Sequence, residues 1–348
     1  MSGTILIPAE TIARQIRTVF DAWGMTPEYA DVAVEVMVDT DLRGIDSHGI
    51  GMLPTYQRWF DAGLINPRPD IRVVREAGAV ALVDADGSLG HPPSVTAMRL
   101  AIAKARTSGI GMVVVNNSNH YGAAGYYSLM AAAEKVIGLS LTNVAIPLVV
   151  PTFGRDAFLG TNPIAFAAPA RKNQPFSLDM ATSAVALGKL NVARRAGRPL
   201  PVGWAFDDRG DFTTDAQTAL VSPRLAPLGG SRVLGGHKGY GLATMVEILC
   251  ATLGGVPLQG DRIGHFFLAI DPAALRPDGG FGADLDGLMD RLRAAPPADP
   301  AQPVQVAGDP EYAAFAERTR VGIPITAILA GEVEAVCRAA GVPFLFGG

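Results

Sequence analysis

The stretch Asp46-Ser47-His48-Gly49, following Asp41-Leu42-Arg43-Gly44, sets an acid, a hydroxyl, an imidazole and a glycine side by side. The chain has five histidines, and one in so polar a run is hard to explain by packing alone. The flanking apolar patterns place the run at a turn between helices. Asp46 or Ser47 is then placed to cap the following helix, and His48 falls in its first turn. There the helix dipole disfavours imidazolium, which lowers the proton affinity. A neutral imidazole that gains and loses a proton near pH 7 suits general acid–base work. A histidine hydrogen-bonded between helices fits the same spacing. Adjacent helical residues do not face each other, so Ser47 is expected to touch substrate or cap the helix rather than relay protons to His48. Arg43 has the fork geometry to hold a carboxylate; its other reading is an ion pair with Asp41 or Asp46.

Four later segments carry polar residues at element junctions. Val113-Val114-Val115 runs into Asn116-Asn117-Ser118-Asn119-His120-Tyr121, then Gly122-Ala123-Ala124-Gly125. A strand, a polar loop and a helix start of small residues can receive a phosphate on free backbone amides; an ordinary glycine turn looks the same. Gly160-Thr161-Asn162-Pro163 is a tight turn between apolar runs. In Leu178-Asp179-Met180-Ala181-Thr182-Ser183 a carboxylate sits at a strand end, able to bind a ribose hydroxyl, orient an imidazole or cap a helix. Gly236-His237-Lys238-Gly239-Tyr240-Gly241 opens a helix with a lysine, an electrostatic cost that a bound anion offsets.

The elements that must position these residues follow from periodicity. Ile12, Ile16, Val19 and Phe20 have helix spacing, and Thr26-Pro27-Glu28 starts a second helix with threonine placed to cap it. A third is expected from about Ile50 to Ala62, ended by Gly63, so residues 1–75 read as helical. From about residue 70 short apolar runs at 71–74, 80–84, 112–115 and 138–142 alternate with helical patterns at 94–107 and 126–135, which implies an α/β core. Strands are expected at 176–180, 203–206 and 266–270, and helices at 184–196, 239–253 and 285–294. A helical segment, 309–348, packs back on the N-terminal helices. The division expected is a helical domain, 1–75 completed by 309–348, and a central α/β domain, 76–308.

Composition narrows the function. The 348 residues are 49% hydrophobic and 18% charged, with a net charge of −4, an ordinary globular mixture with room for two domains. No run of lysine or arginine offers a surface for nucleic acid or an anionic membrane. Cys250 and Cys337 lie in apolar helical patterns and read as buried free thiols, and no cysteine or histidine pair has metal-site spacing. The longest uncharged run, 136–154, carries polar residues, prolines and glycines and makes a poor membrane span. These features together suggest a soluble cytoplasmic protein. No G-x-G-x-x-G follows a strand, so the usual dinucleotide fingerprint is absent.

In this order, Asp46-Ser47-His48-Gly49, Asn117-Ser118-Asn119-His120-Tyr121-Gly122, Gly160-Thr161-Asn162-Pro163, Leu178 to Ser183, Lys238-Gly239-Tyr240-Gly241-Leu242 and Gly322-Ile323 resemble the type-2 malate/L-lactate dehydrogenase family. The resemblance implies an NAD- or NADP-dependent oxidoreductase whose fold is not the Rossmann one, with a helical part built from both chain ends, and a homodimer acting on a small molecule. It implies a proton donor at His48 or His120, with Ser47 and Asp179 beside the chemistry. It implies cofactor contacts at His120, Tyr121, Gly122, Asn143, Thr161, Asn162, Asp179, Met180, Ala181, His237, Lys238 and Gly239. The family's Pro-Gly-Glu cofactor turn reads Ala307-Gly308-Asp309 here, lacking the proline and with a changed acid; Gly308 and Asp309 are the corresponding contacts. Many members carry arginine four residues after the histidine, where this chain has Met52. The local string looks like the hydroxycarboxylate dehydrogenase branch. Beside Arg43, Met52 would then favour a 2-hydroxy or 2-oxo acid with an apolar or aromatic side chain over malate-like dicarboxylates. Reduction of a cyclic imine carboxylate and oxidation of ureidoglycolate are the nearest alternatives. A hydrolase using Ser47, His48 and Asp179 is a distant one, since no G-x-S-x-G elbow is present.

Overall fold

The computed structural model describes residues 3–195, 197–258 and 260–347. From the N-terminus the chain forms β1 (Thr4–Ile7), α1 (Ala9–Ala22), α2 (Pro27–Leu42), a 3-10 turn at Ile50–Met52 and α3 (Leu53–Asp61). There follow β2 (Arg72–Ala77), β3 (Val80–Asp84), α4 (His91–Ser108), β4 (Ile110–Ser118), α5 (Ala124–Ala133), β5 (Ile137–Thr142), β6 (Ile164–Ala168) and β7 (Phe176–Met180). A peripheral stretch holds α6 (Leu187–Arg195), β8 (Ala205–Phe206), β9 (Phe212–Thr213) and α7 (Ala216–Val221). Then come α8 (Gly236–Glu247), prolonged by a π-helical stretch at Ile248–Thr252, β10 (Ile263–Ile270) and α9 (Phe281–Arg293). The chain closes with α10 (Asp309–Val321), β11 (Ile323–Thr326) and α11 (Ala327–Ala340).

The central sheet runs β2-β3-β4-β10-β5-β6-β7, and only β3 and β4 pair in parallel. It is a mixed α/β sheet, unlike the all-parallel doubly wound one, as the missing glycine fingerprint implies. Alternation along β4 builds its two faces. Val113 and Val115 pack with α4 and α5, whereas Val114 meets Val246 and Cys250 from α8 and its π-helical extension. At the middle of the sheet the buried ring of His265 on β10 bridges both neighbours. Its Nδ1 is 2.8 Å from Thr142 Oγ1 on β5, and its Nε2 is 2.8 Å from Ser118 Oγ on β4. Both cysteines are free and buried.

A separate core joins the chain ends. Ile12, Ile16, Val19, Phe20 and Met37 pack with Ile323, Ile325, Val333 and Val336. The structure departs from the helical reading of both ends, because β1 and β11 pair antiparallel from Thr4↔Thr326 to Ile7↔Ile323. Two four-residue strands are too short to show a period, and Gly322, at φ 102°, stops α10 and turns the chain into β11. Other boundaries shift as well. The strand expected at 203–206 is only β8, α6 starts at Leu187, and α8 starts at Gly236. Thr26 holds the N-cap of α2 but its hydroxyl makes no cap bond.

Ile325 is 1% exposed whereas Ile5, on the strand paired with it, is 42% exposed. Ile325→Ala should therefore cost roughly 2–5 kcal/mol in urea denaturation, and Ile5→Ala within about 0.5 kcal/mol.

Candidate active site

After α2 the chain turns through residues 43–49 before the 3-10 turn and α3. His48 lies in that turn, its N–H donating to Ile45 O at 3.0 Å. Neither Asp46 nor Ser47 caps a helix, since Gly49 and Met52 hold the N-cap positions without side-chain cap bonds. Because the backbone here is not helical, adjacent side chains meet: Ser47 Oγ is 2.7 Å from His48 Nδ1. The structure thus corrects the expectation that they stand apart. A hydroxyl both donates and accepts, so it accommodates the imidazole proton on either nitrogen. His48 remains half-buried, and its proton affinity lies below the ordinary imidazole value because its surroundings desolvate it. The expected direction is right, and the cause is burial rather than a helix dipole.

The loop after β4 brings a second imidazole to the same place. The rings of His48 and His120 are 5.4 Å apart. Nδ1 of His120 is 2.7 Å from Tyr56 Oη and accepts the Gly122 N–H at 3.3 Å. With an amide donor aimed at Nδ1, the neutral ring carries its proton on Nε2. Burial first, then the neighbouring His48, His91 and His265, lowers its proton affinity well below the imidazole range. Tyr56 is fully buried on α3, and Met52 precedes it by four residues, the spacing that puts side chains on one helical face. Trp59 completes the aromatic wall, its ring 6.5 Å from that of His120.

A crevice is lined by Arg43, Tyr126, Asp179, Glu311 and Tyr312, among others, and Ile45 and Ala123 in its wall belong to the segments that carry His48 and His120. Arg43 is not paired with Asp41 or Asp46. It makes a bidentate contact with Asp39, at 2.7 and 3.1 Å, and its guanidinium lies over the rings of Phe315 and Tyr312, 5.0 and 5.8 Å from their centroids. Asp179 is open to solvent at its surface, while its carboxyl accepts the Gly125 N–H at 2.7 Å. A Cβ on Gly125 would lie 2.9 Å from that carboxylate oxygen, so the glycine is what admits the amide. Desolvation of the carboxyl group itself raises it to about 6, against the Gly125 bond and with Glu311 adding repulsion. No carboxylate among the described residues bonds to the imidazole of His48, so the Ser47–His48 pair lacks the acid that a hydrolytic triad needs.

The remaining candidates are spread over several elements. Asn143 and Asn162 both donate to Glu247 on α8, at 3.1 and 2.9 Å. Asn162 also accepts the Val144 N–H, and the backbone carbonyl of Thr161 is held by Thr182. Tyr121 is buried and stacks on His265 at 4.5 Å. Met180 and Ala181 close β7 and the step after it. Gly308 is the left-handed N-cap of α10, and the Asp309 carboxylate is engaged by Arg293 at 2.7 and 3.1 Å. At the start of α8, Lys238 is exposed, and Arg232 Nη1 is 2.9 Å from His237 Nδ1. Neither Lys238 nor Arg232 has a carboxylate partner among the described residues, and α8 has no side-chain cap. Positive charge on an uncapped helix start fits an anion such as a phosphate. Gly239 is buried in the same turn.

Sequence reasoning missed Tyr56, Asp41, Glu247 and Arg318. Tyr56 had a usable signal, its helical spacing from Met52. Arg318, on α10, donates to the Asp41 carbonyl at 2.6 Å and pairs with the Asp46 carboxylate. Nothing local announces so distant a contact.

Residues 7–334 match the malate/L-lactate dehydrogenase family. Malate dehydrogenase from Pyrococcus horikoshii is 40% identical, over 97% of this chain and 96% of its own. L-sulfolactate dehydrogenase from Methanocaldococcus jannaschii is 36% identical, over 97% and 98%. The solved structure of malate dehydrogenase from Entamoeba histolytica superimposes with a TM-score of 0.94 at 32% identity, over 99% of this chain and all of that one.

The burial of these rings predicts their titration. His91 and His265 are lowered to about 3 and His120 well below its ordinary value. Nitrogen NMR of the histidines should therefore show all three neutral from pH 8 down to 5, with His120 protonated on Nε2. His48 should take its proton below the ordinary imidazole range.

Proposed function

The chain belongs to the malate/L-lactate dehydrogenase family and is an oxidoreductase acting on the CH–OH group of hydroxy acids; on that premise we propose that it interconverts a small 2-hydroxy acid and its 2-oxo acid, with His48 as the proton donor and acceptor. The observation that carries the reading is the facing pair of imidazoles, 5.4 Å apart, each with a hydroxyl at its Nδ1, of which only His120 also accepts a backbone amide there. His120, locked neutral with a proton on Nε2, donates a hydrogen bond to the carbonyl oxygen and draws charge onto it. His48 delivers the proton to that oxygen in reduction and takes it back in oxidation, and Ser47 steadies Nδ1 in either state. The pyridine nucleotide, NAD or NADP, supplies the hydride exchanged at the neighbouring carbon. The uncapped start of α8, with Lys238, His237 and Arg232, fits its phosphates, and Asp179 at the crevice fits a ribose hydroxyl.

The substrate side chain is proposed to be apolar or aromatic. Malate and sulfolactate carry a second acidic group, and this crevice has little to hold one. Its arginine, Arg43, is committed to Asp39, and the other charged lining groups are the acids Asp39, Asp179 and Glu311. Met52 and Trp59, half-buried on the segment that packs against His120, offer an apolar and aromatic wall. The exposed apolar side chains of Met245, Ile248, Leu253 and Leu258, on and just after α8, suit contact with a second copy of the chain, as a homodimer requires.

Reduced cofactor should be oxidised in the presence of 2-oxo acids, followed by absorbance, with phenylpyruvate-like acids ahead of oxaloacetate. A cyclic imine carboxylate belongs in the same panel, and turnover of that compound alone would replace this reading. His48→Ala should lower kcat by about 10²–10⁴-fold and leave cofactor affinity within about twofold. Met52→Arg should move the kcat/KM ratio toward dicarboxylates; an unchanged ratio refutes the substrate assignment. Light scattering should give the mass of a dimer, which Ile248→Glu should reduce to that of one chain.

A further inference from the structure

Asp41 is a carboxylic acid 2% exposed at the end of α2, and no step above uses it. One of its oxygens accepts the Ile50 N–H at 2.8 Å. The other oxygen lies so close to the next turn that a Cβ on Gly49 would stand 2.0 Å from it. The carboxyl is thus wedged beneath the residue that follows His48, in a space only glycine leaves open. The turn is also held from outside: Arg318 on α10 donates to the Asp41 carbonyl at 2.6 Å and pairs with the Asp46 carboxylate. The segment carrying His48 is therefore fixed at both ends by one buried acid and one arginine, each through backbone contacts that a side-chain rotation cannot replace.

We propose that Asp41 is a positioning residue for this reaction: wedged under Gly49 and working with Arg318, it sets how far His48 reaches toward the substrate oxygen. The proposal rests on the reading of His48 as the acid–base group. A misplacement of about 1 Å in such a group can cost on the order of 10²-fold in rate, so the support beneath the turn matters as much as the ring on it. The device also responds to pH. Desolvation raises Asp41 to about 8; Asp46 on the turn raises it further, while the Ile50 amide and Arg318 oppose the rise. His48 stands on the same turn, and Arg43 on the same helix is occupied by Asp39. At neutral pH the Asp41 carboxyl is largely protonated and leaves Arg318 to Asp46. Above about pH 8 it ionises and competes with Asp46 for that guanidinium, which pulls on the turn.

The test is kcat in the oxidative direction, 2-hydroxy acid with oxidised cofactor, from pH 6 to 9.5. There a neutral His48 is competent throughout, because its proton affinity is lowered, and an alkaline fall reports another group. The wild type should lose up to about tenfold per pH unit above pH 8. Asp41→Asn, which keeps the shape, should stay within about threefold of wild type at pH 7 and lose the alkaline fall, with the cofactor KM unchanged. At pH 9, where Asp41→Asn should exceed the wild type by up to about tenfold, the same substitution in a His48→Ala background should change kcat by less than about twofold, since two residues acting through one another are not additive. An alkaline fall that persists in Asp41→Asn, or an effect that multiplies in full with that of His48→Ala, overturns the proposal. Full activity in His48→Ala alone overturns the His48 reading instead, and the two failures are told apart by that single variant. Arg318→Gln gives an independent arm should Asp41→Asn fold poorly. It should lower kcat about tenfold or more with the cofactor KM unchanged, and a raised cofactor KM with unaltered kcat counts against the proposal. Folding is read by thermal melting. The folded acid binds its proton more tightly than the unfolded one, so wild-type stability falls as pH rises from about 4 to about 8. Asp41→Asn lacks that loss, and its melting temperature should gain on the wild type across the same window.

Discussion

The site depends on one constraint, that both ends of the chain share a core. β1 and β11 pair along their whole length, and the apolar faces of α1, α2 and α11 close over the same cluster. That closure lays α10 against the end of α2. α10 then spans from β7, where Tyr312 Oη donates to Pro175 O at 3.0 Å, to the turn gripped by Arg318. The two imidazoles come from different parts of the molecule, one from the helical turn and one from the loop after β4. They meet because α3 reaches across with Tyr56. The packing of the chain ends thus fixes the turn that carries one of the two imidazoles.

Burial, more than charge pairing, sets the electrostatics here. His91, His120 and His265 are held neutral by desolvation, and Asp41 and Asp179 are raised by the same cause. His265 satisfies both ring nitrogens with hydroxyls, so its neutrality is structural. Among the described residues His91 has no partner on either nitrogen, and its ring meets Tyr56 edge-on at 5.8 Å. His48 and His120 are both half-buried, each with a hydroxyl at Nδ1, and they differ in that His120 also accepts the Gly122 amide.

Local chemistry was legible in the sequence and distant contact was not. The polar turn around His48, the loop ending at His120 and the lysine-bearing start of α8 could be found because their residue types stand out against apolar flanks. The central strands were readable for the same reason, since Val113 to Val115 form a dense apolar run. The strands at the chain ends were not, because four residues paired with a segment at the far end carry no period. Likewise, Asp41 reads as one acid among several until its carboxyl is seen under Gly49. The Ser47–His48 contact was misjudged because helical geometry was assumed for a segment that the non-helical backbone of Gly49 separates from the 3-10 turn and α3.

The position of β10 has a consequence for how the molecule is made. It lies between β4 and β5 in the sheet although it comes after residue 262 in the chain. During synthesis the earlier strands leave the ribosome as two halves with a gap between them, each presenting an unpaired edge. The terminal core must wait longer still, for β11 and α11. A nascent chain of this topology stays open until translation is nearly complete. Premature termination before β10 would leave a polypeptide with no central strand to close it, prone to self-association and dependent on chaperones.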